Sequence, residues 1–303
     1  MELAPIVLFV YNRLPHTVKT IESLQRNELS KDSILYIYSD APKSKKDIQF
    51  VKRVREYIKN IKVFKSVIII EQEENIGLAN SIILGVTDVI SKHGKIIVME
   101  DDLVVSEYFL KFMNNSLNYY KYKKDVWHIS GWNHPTLLET PKDVFFYRIM
   151  NCWGWATWSD RWENFEKNTE ALIDRMSSKD IDRFNLDGYT NLWRQVKLNK
   201  SGHIDTWAIY WYATIFHHNG LCLNPINSYV QNIGHDGTGE HCSISNYNDN
   251  LILNNKPSIG FVAEIKEDIK VVEQIKVYLK KIKKPLLLRA YYKIKTFYIK
   301  NKY

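Results

Sequence analysis

Three consecutive carboxylates, Glu100-Asp101-Asp102, follow directly on the apolar run Ile96-Ile97-Val98-Met99. A short apolar run of this kind reads as a buried central strand. Three unpaired acids at its end cost too much to bury, so they must protrude beyond a sheet edge into water or meet a cation. Carboxylate oxygens suit a hard divalent ion such as Mg²⁺ or Mn²⁺, which often shares its shell with substrate phosphates. An ion bridging protein carboxylate and diphosphate would neutralise the charge developing on a departing nucleoside diphosphate. The plain alternative is a solvated acidic turn, and what weighs against it is the place of the triplet in the chain.

That place is the end of a series. Short β-rich runs at Pro5–Tyr11, Ser33–Ser39, Ser66–Glu71 and Lys95–Met99 alternate with helical patterns at Pro15–Arg26, Lys45–Ile58 and Leu78–Lys92. Such alternation predicts right-handed βαβ units, an α/β fold and a mostly parallel sheet flanked by helices. Ligands of these sheets bind at the carboxyl ends of the strands. Four strand ends are thereby nominated: Tyr11-Asn12-Arg13, Ser39-Asp40, Glu73-Glu74-Asn75 and the acidic triplet. Beyond Ser106 the alternation stops, and all nine tryptophans fall between Trp127 and Trp211. Leu110–Tyr120, Leu172–Met176 and Asp205–His217 read as helices, and Asn232–Ser245 as a loop. The expected organisation is a βαβ half over 1–105, a second half of the same domain over 106–245, and an extension with a basic tail over 246–303.

The segment Ile96–Phe112, IIVMEDDLVVSEYFLKF, resembles the acidic-motif segment of glycosyltransferases with the GT-A fold, and more narrowly that of the N-acetylglucosaminyltransferase I type. Pro5–Arg13 resembles that family's first strand and donor-binding arginine. Tyr38-Ser39-Asp40 resembles its second strand end, and Trp127–Asn133, WHISGWN, the run that follows the metal motif. The resemblance covers residues 5–240. It implies a metal-dependent glycosyltransferase of the hexosyltransferase class, moving a sugar from a UDP-sugar or other nucleotide-sugar to a glycan or lipid-linked acceptor. It also implies nucleotide-sugar binding for the half over 1–105 and acceptor binding for the half over 106–245. By the same resemblance Asp102 meets the metal, Asp101 the donor ribose, and Glu100 the donor sugar or metal shell. Asn12 and Arg13 fall on the nucleotide, Asp40 on the uracil N–H, and Asn75 and Gly77 on the donor-side helix start, where glycine permits close backbone approach. Where the family carries basic and His residues on that helix, this chain has Asn80 and Ser81.

Inverting transfer needs one carboxylate to take the proton of the acceptor hydroxyl. Asp205, in His203-Ile204-Asp205-Thr206-Trp207, opens an apolar helical pattern whose N-terminus would favour its ionised form; the stretch resembles the family's Asp-Asp-Trp. Asp205 reads equally as a helix N-cap, and Glu163 and Asp160 are the substitutes. The polar run Gly234–His241 lies where GT-A enzymes place a donor-closing segment, and His235 and His241 are its candidate metal or diphosphate ligands. Trp132, Asn133 and His134, with Trp153 and Trp155, are the expected acceptor wall, since apolar sugar faces pack on rings; the remaining tryptophans are expected in the core.

Composition sets bounds on all this. The chain has 303 residues, 45 % of them hydrophobic, enough for a large core. No stretch is long and apolar enough to span a bilayer. Three cysteines without paired spacing argue against a disulfide framework or thiolate zinc site and for a reducing, cytoplasmic setting. The formal charge of +8 is uneven: residues 270–303 hold eleven Lys/Arg and one acid, so residues 1–269 come to −2. A nearly neutral body argues against a nucleic-acid binder. The segment 271–303, basic with Ile, Leu and Tyr interleaved, is expected either to lie on an anionic membrane surface, placing the protein at the inner face of the plasma membrane, or to pack on the body. A nucleotidyltransferase is the competing enzyme class, but it would carry a Gly-rich basic loop where this chain has Tyr11-Asn12-Arg13-Leu14-Pro15.

Overall fold

The computed structural model describes residues 2–237 and 251–282. Apolar runs form β1 (Ile6–Val10), β2 (Ile34–Ser39), β3 (Ser66–Glu71) and β4 (Lys95–Glu100), joined by α1 (Leu14–Gln25), α2 (Ile48–Ile58) and α3 (Gly77–His93). These are the expected elements; β3 recurs to the residue and the others shift by one to three positions. Pro15 sits in the first turn of α1, where its missing N–H costs nothing. Gly94 in the left-handed conformation ends α3, with Lys92 and His93 in the last turn facing the negative end of the helix dipole.

After β4 come β5 (Leu103–Val105), α4 (Phe109–Tyr119), β6 (Val126–Ser130), β7 (Val144–Tyr147) and β8 (Trp155–Trp158). Four short helices follow: α5 (Ser159–Trp162), α6 (Thr169–Arg175), α7 (Ser178–Phe184) and α8 (Trp193–Lys200). Then come α9 (Ala208–His217), β9 (Leu221–Pro225), β10 (Val230–Asn232) and α10 (Ile269–Ile282).

One sheet has the order β3-β2-β1-β4-β8-β6-β9-β7. Its first four strands are all parallel. β8 runs antiparallel between β4 and β6, β6 and β9 are parallel, and β7 closes the edge antiparallel. The fold is therefore mixed α/β, a mostly parallel central sheet flanked by helices, and the sheet runs on without interruption past residue 105. A separate ribbon pairs β10 with β5, Val230 opposite Val105 and Asn232 opposite Leu103. It returns the chain to the residues just after the acidic triplet.

Alternation along the strands builds a core on each face of the sheet. Val7, Phe9, Ile96 and Val98 point to one face with α3, α9 and Trp155. Ile6, Leu8, Ile97 and Met99 point to the other, with α1, α2 and α4. Truncating a side chain as enclosed as Ile97, at 0 % exposure, costs roughly 2 to 5 kcal/mol. The start of the basic tail packs on the body: Val271, Val272 and Ile275 of α10 are buried in the core, and Lys276 pairs with Asp187 at 2.8 Å. Residues 283–303 lie outside the described residues. Among those described, no helix is long and apolar enough to cross a membrane.

Candidate functional site

The carboxyl ends of β1, β2 and β4 and the first turn of α3 enclose a cleft of about 330 Å³. Its lining has an apolar part, Phe9, Tyr38 and Leu78, and a polar and charged part that includes Asn12, Arg13, Asp40, Ser81, Glu100 and Asp101. A concave, half-apolar space with a few converging polar groups is what a small-molecule site requires. It lies where strand-end reasoning places it.

In the charged part, β4 stops at Glu100 and the next two acids turn inward. Arg13, the last residue before α1, reaches across: its Nη2 donates to Asp101 Oδ1 at 2.5 Å and to Asp102 Oδ2 at 2.9 Å. Both aspartates are almost enclosed, 5 % and 6 % exposed. The backbone is held as well. The Thr20 hydroxyl donates to the Asp101 carbonyl at 2.8 Å, and the Ile233 N–H donates to the Asp102 carbonyl at 2.8 Å. The chain then passes so close that a Cβ on Gly234 would stand 2.1 Å from Asp102 Oδ2.

Burial, with the negative charges of Asp102 and Asp101, pushes the Glu100 carboxyl well above the usual carboxylate range. Burial also raises Asp101, against the opposing charge of Arg13. Burial works against the charge of Arg13 itself, but the two aspartates outweigh it and hold the guanidinium protonated.

Among the described residues no three His, Cys, Asp or Glu side chains form an all-protein metal cage. The donors do fit an ion shared with a ligand, as a hard cation held by one or two carboxylates and phosphates would be. Glu100 lines the cleft and makes no hydrogen bond among the described residues. Asp101 Oδ2 is buried without a partner among the described residues, and Arg13 engages a single oxygen of Asp102. These oxygens are acceptors waiting for a positive group.

The other nucleotide-side residues also gather here. Asp40 lines the cleft, but its carboxylate is already engaged by backbone: Oδ1 accepts from the N–H groups of Ala41 and Ile76, and Oδ2 from that of Gly77 at 2.9 Å. It therefore anchors the start of α3, a different task from the uracil contact expected of it. Asn75 Nδ2 donates to the Ala41 carbonyl at 2.6 Å, and Asn12 Nδ2 to Asp47 Oδ1 at 3.0 Å. Gly77 is favoured by its φ of +77°; among the described residues, no atom beyond its chain neighbours and its own helix backbone lies within 4 Å of where its Cβ would be, which leaves the helix start open. Glu73 and Glu74 are exposed and face elsewhere.

On the far side of the acids, His235 follows Gly234. Both its ring nitrogens are buried without a partner among the described residues, and its ring meets Trp153 edge-on at 5.4 Å. Trp153 in turn packs on Trp132, and Trp132 on His134. These four rings are brought together. His241 lies outside the described residues. Two expected acceptor contacts are internal instead. Trp155 is fully buried, stacked between His128 and Trp207. Asn133 is also fully buried, its amide donating to the Ile226 carbonyl.

Asp205 is not brought to the cleft. It lies before α9, whose N-cap is Trp207, and its carboxylate, 64 % exposed, holds Lys167. The helix begins later than its apolar pattern suggests because Trp207 is drawn onto Trp155.

Several wall residues escaped sequence reasoning. Lys43 and Asp47 sit in the loop after Asp40, and carrying the strand-end rule through that loop would have reached them. Ser81, one turn into α3, has a buried hydroxyl without a partner among the described residues. Outside the lining, His16 of α1 pairs with Asp236 at 3.1 Å, and nothing in the sequence marks that pair.

No protein-family model matches the chain, and no curated protein matches it. Among solved structures it is similar to S. aureus TarS 1-349, at 9 % identity and a TM-score of 0.41 over 75 % of this chain and 59 % of that one. The same TarS region in complex with UDP is similar at 11 % identity and a TM-score of 0.33, over 46 % and 40 % of the two chains. A third is the mannosyltransferase PcManGT from Pyrobaculum calidifontis in complex with GDP-Man and Mn²⁺, at 12 % identity and a TM-score of 0.39, over 71 % of each chain. The chain spans less than two thirds of the length of the TarS chains it matches.

Proposed function

We propose that this chain is a glycosyltransferase of the GT-A type, which binds a nucleotide-sugar with a divalent ion, Mn²⁺ or Mg²⁺, and transfers the sugar to a glycan or lipid-linked acceptor with inversion. The observation that carries this reading is that Glu100 and Asp101 of the acidic triplet open onto the same cleft as Arg13 and the start of α3, with Asp102 joined to them through Arg13 though not itself among the lining residues. A nucleotide needs an apolar surface for its base and charged groups for its phosphates, and the cleft has both.

In this reading the base lies beside Phe9, Tyr38 and Leu78, and Asp40 and Asn75 hold the start of α3 against it. Arg13 binds the diphosphate and Glu100 the sugar hydroxyls. A divalent ion, when bound at Asp102 with the diphosphate, supplies neutralisation of the charge on the departing group. Preorganised Arg13 and Asp102 cost little reorganisation at the moment of transfer. Trp132, His134, Trp153 and His235 make the wall on which an acceptor sugar would rest.

Asp205 is the carboxylate assigned to the acceptor proton; it lies outside the cleft in the free protein, so this role requires that it leave Lys167 and be carried to the cleft when the acceptor binds. Asp205→Asn should keep donor binding and lose transfer; unchanged transfer moves the base elsewhere. Synthesis of a surface polysaccharide or glycoconjugate at the inner membrane face is the setting we assign, with the part of 271–303 beyond α10 as the contact, since α10 spends its apolar side on the body. Co-flotation with anionic vesicles checks this, and its failure would remove the membrane contact without touching the transferase.

The function is tested by thermal unfolding with UDP or GDP. A rise in Tm with nucleotide plus Mn²⁺ that EDTA abolishes is the expected result. No response to any nucleoside diphosphate would overturn the reading.

A further inference from the structure

The guanidinium of Arg13 is used unevenly. One nitrogen, Nη2, serves both Asp101 and Asp102, while Nη1 is buried with no partner among the described residues. Across from it Asp101, only 5 % exposed, has Oδ2 buried and equally without a partner among them. A buried donor or acceptor left unmade is costly, so this arrangement is poised to change rather than complete. Charge says the same. Asp101 and Asp102 alone carry two formal negatives against the one positive of Arg13.

A divalent cation arriving alone finds its carboxylates already held by Arg13 and must displace an enclosed, charge-assisted pair. A nucleoside diphosphate arriving alone meets a net negative cluster. Arriving together, they suit each other's needs: phosphate oxygens accept from the guanidinium, and the aspartates it gives up accept the cation.

We infer that Arg13 is a built-in counter-ion that occupies the cation's place in the free protein, so that divalent ion and nucleoside diphosphate each bind tightly only in the presence of the other. This rests on the reading of the cleft as a nucleotide-sugar site and goes beyond it, because a site without the Arg13 bridge would bind the ion by itself. By linkage the coupling is reciprocal: whatever factor UDP adds to Mn²⁺ affinity, Mn²⁺ adds to UDP affinity.

The test is Mn²⁺ binding followed by the electron paramagnetic resonance of the free ion, on the whole protein. The wild type should bind Mn²⁺ at least about tenfold more tightly with saturating UDP or GDP than without. Arg13→Gln should bind Mn²⁺ alone at least about tenfold more tightly than the wild type does, and gain much less from nucleotide. Arg13→Lys, which keeps a positive charge, should stay close to the wild type. Circular dichroism establishes that each variant is folded; were Arg13→Gln to unfold, the wild-type comparison still decides. Equal Mn²⁺ affinity of the wild type with and without nucleotide overturns the inference while leaving the nucleotide site standing, as does a folded Arg13→Gln with unchanged Mn²⁺ binding. If the wild type binds neither UDP nor GDP under any condition, the site itself is wrong and the inference falls with it.

Discussion

Gly234 has no side chain, yet the position of Asp102 depends on it. A methyl group there would overlap the Asp102 carboxylate at 2.1 Å, and both residues sit on backbone fixed by the β5–β10 ribbon and the Ile233-to-Asp102 hydrogen bond. The carboxylate is therefore the part that gives way. Gly234→Ala should weaken binding of UDP with Mn²⁺ by about tenfold or more, a loss of about 1.4 kcal/mol, while the protein stays folded; isothermal titration reads the first and circular dichroism the second. Glu100 makes the opposite kind of prediction. Burial and two neighbouring carboxylates hold its carboxyl protonated where the unfolded chain would ionise it, so it destabilises the free protein. Glu100→Gln should raise the Tm of the ligand-free protein and impair transfer, a trade of stability for function. A lowered Tm would mean that the carboxylate has a stabilising partner after all.

At the scale of elements, the site depends on how α3 and β6 are tied down. Asp40, at the end of β2, receives three backbone N–H groups, two of them from the start of α3. Asp40→Ala should cost about 1 to 3 kcal/mol, measured by urea unfolding, because it leaves buried donors unmade. In β6, His128 is fully buried; its Nε2 donates to the Asn151 carbonyl at 3.0 Å and its Nδ1 accepts from Trp211 Nε1–H at 3.2 Å. The ring must be neutral to do both, and burial pushes it down to about 3, against the Asn151 bond. Unfolded histidine takes up its proton near about pH 6.5. Below that pH the unfolded chain gains a proton that the folded one refuses, so stability falls as pH falls toward the folded value. The slope is about 1.4 kcal/mol per pH unit. His128→Gln should flatten the decline measured between about pH 6 and about pH 4; an unchanged slope would place the acid lability elsewhere.

The elements show what the sequence could and could not reveal. Ile96–Met99 and its acids were legible because strand, turn and charge are adjacent in the chain. Arg13 could be nominated from its strand end, but its partners Asp101 and Asp102 lie 88 and 89 residues away, and no local pattern announces that pairing. The engagement of Asp40 by Ile76 and Gly77, 36 and 37 residues on, was hidden for the same reason. Tryptophan is large and apolar in a core and in a sugar-binding wall alike, so only the fold separates Trp155 from Trp153.

For the molecule as a whole, the C-terminal segment belongs to the body as far as Ile282. Arg148 donates to Glu267 at 2.7 Å and to Asp187 at 2.9 Å, and Lys276 of α10 reaches the same Asp187. Arg148→Ala would leave two partly buried carboxylates short of a partner. Amide exchange in α10 should then accelerate while exchange in β1 and β4 stays as slow as before, because that network adjoins the far edge of the sheet, at β7. The central claim concerns the other end of the molecule, where β1, β2 and β4 deliver their acids and Arg13 to one cleft. A crystal structure of the protein with UDP and Mn²⁺, with the ion located by anomalous scattering, tests it directly. The account predicts an ion in contact with Asp102 and the diphosphate, with Arg13 turned onto a phosphate oxygen; an ion bound away from the triplet, or a diphosphate outside the cleft, would contradict it.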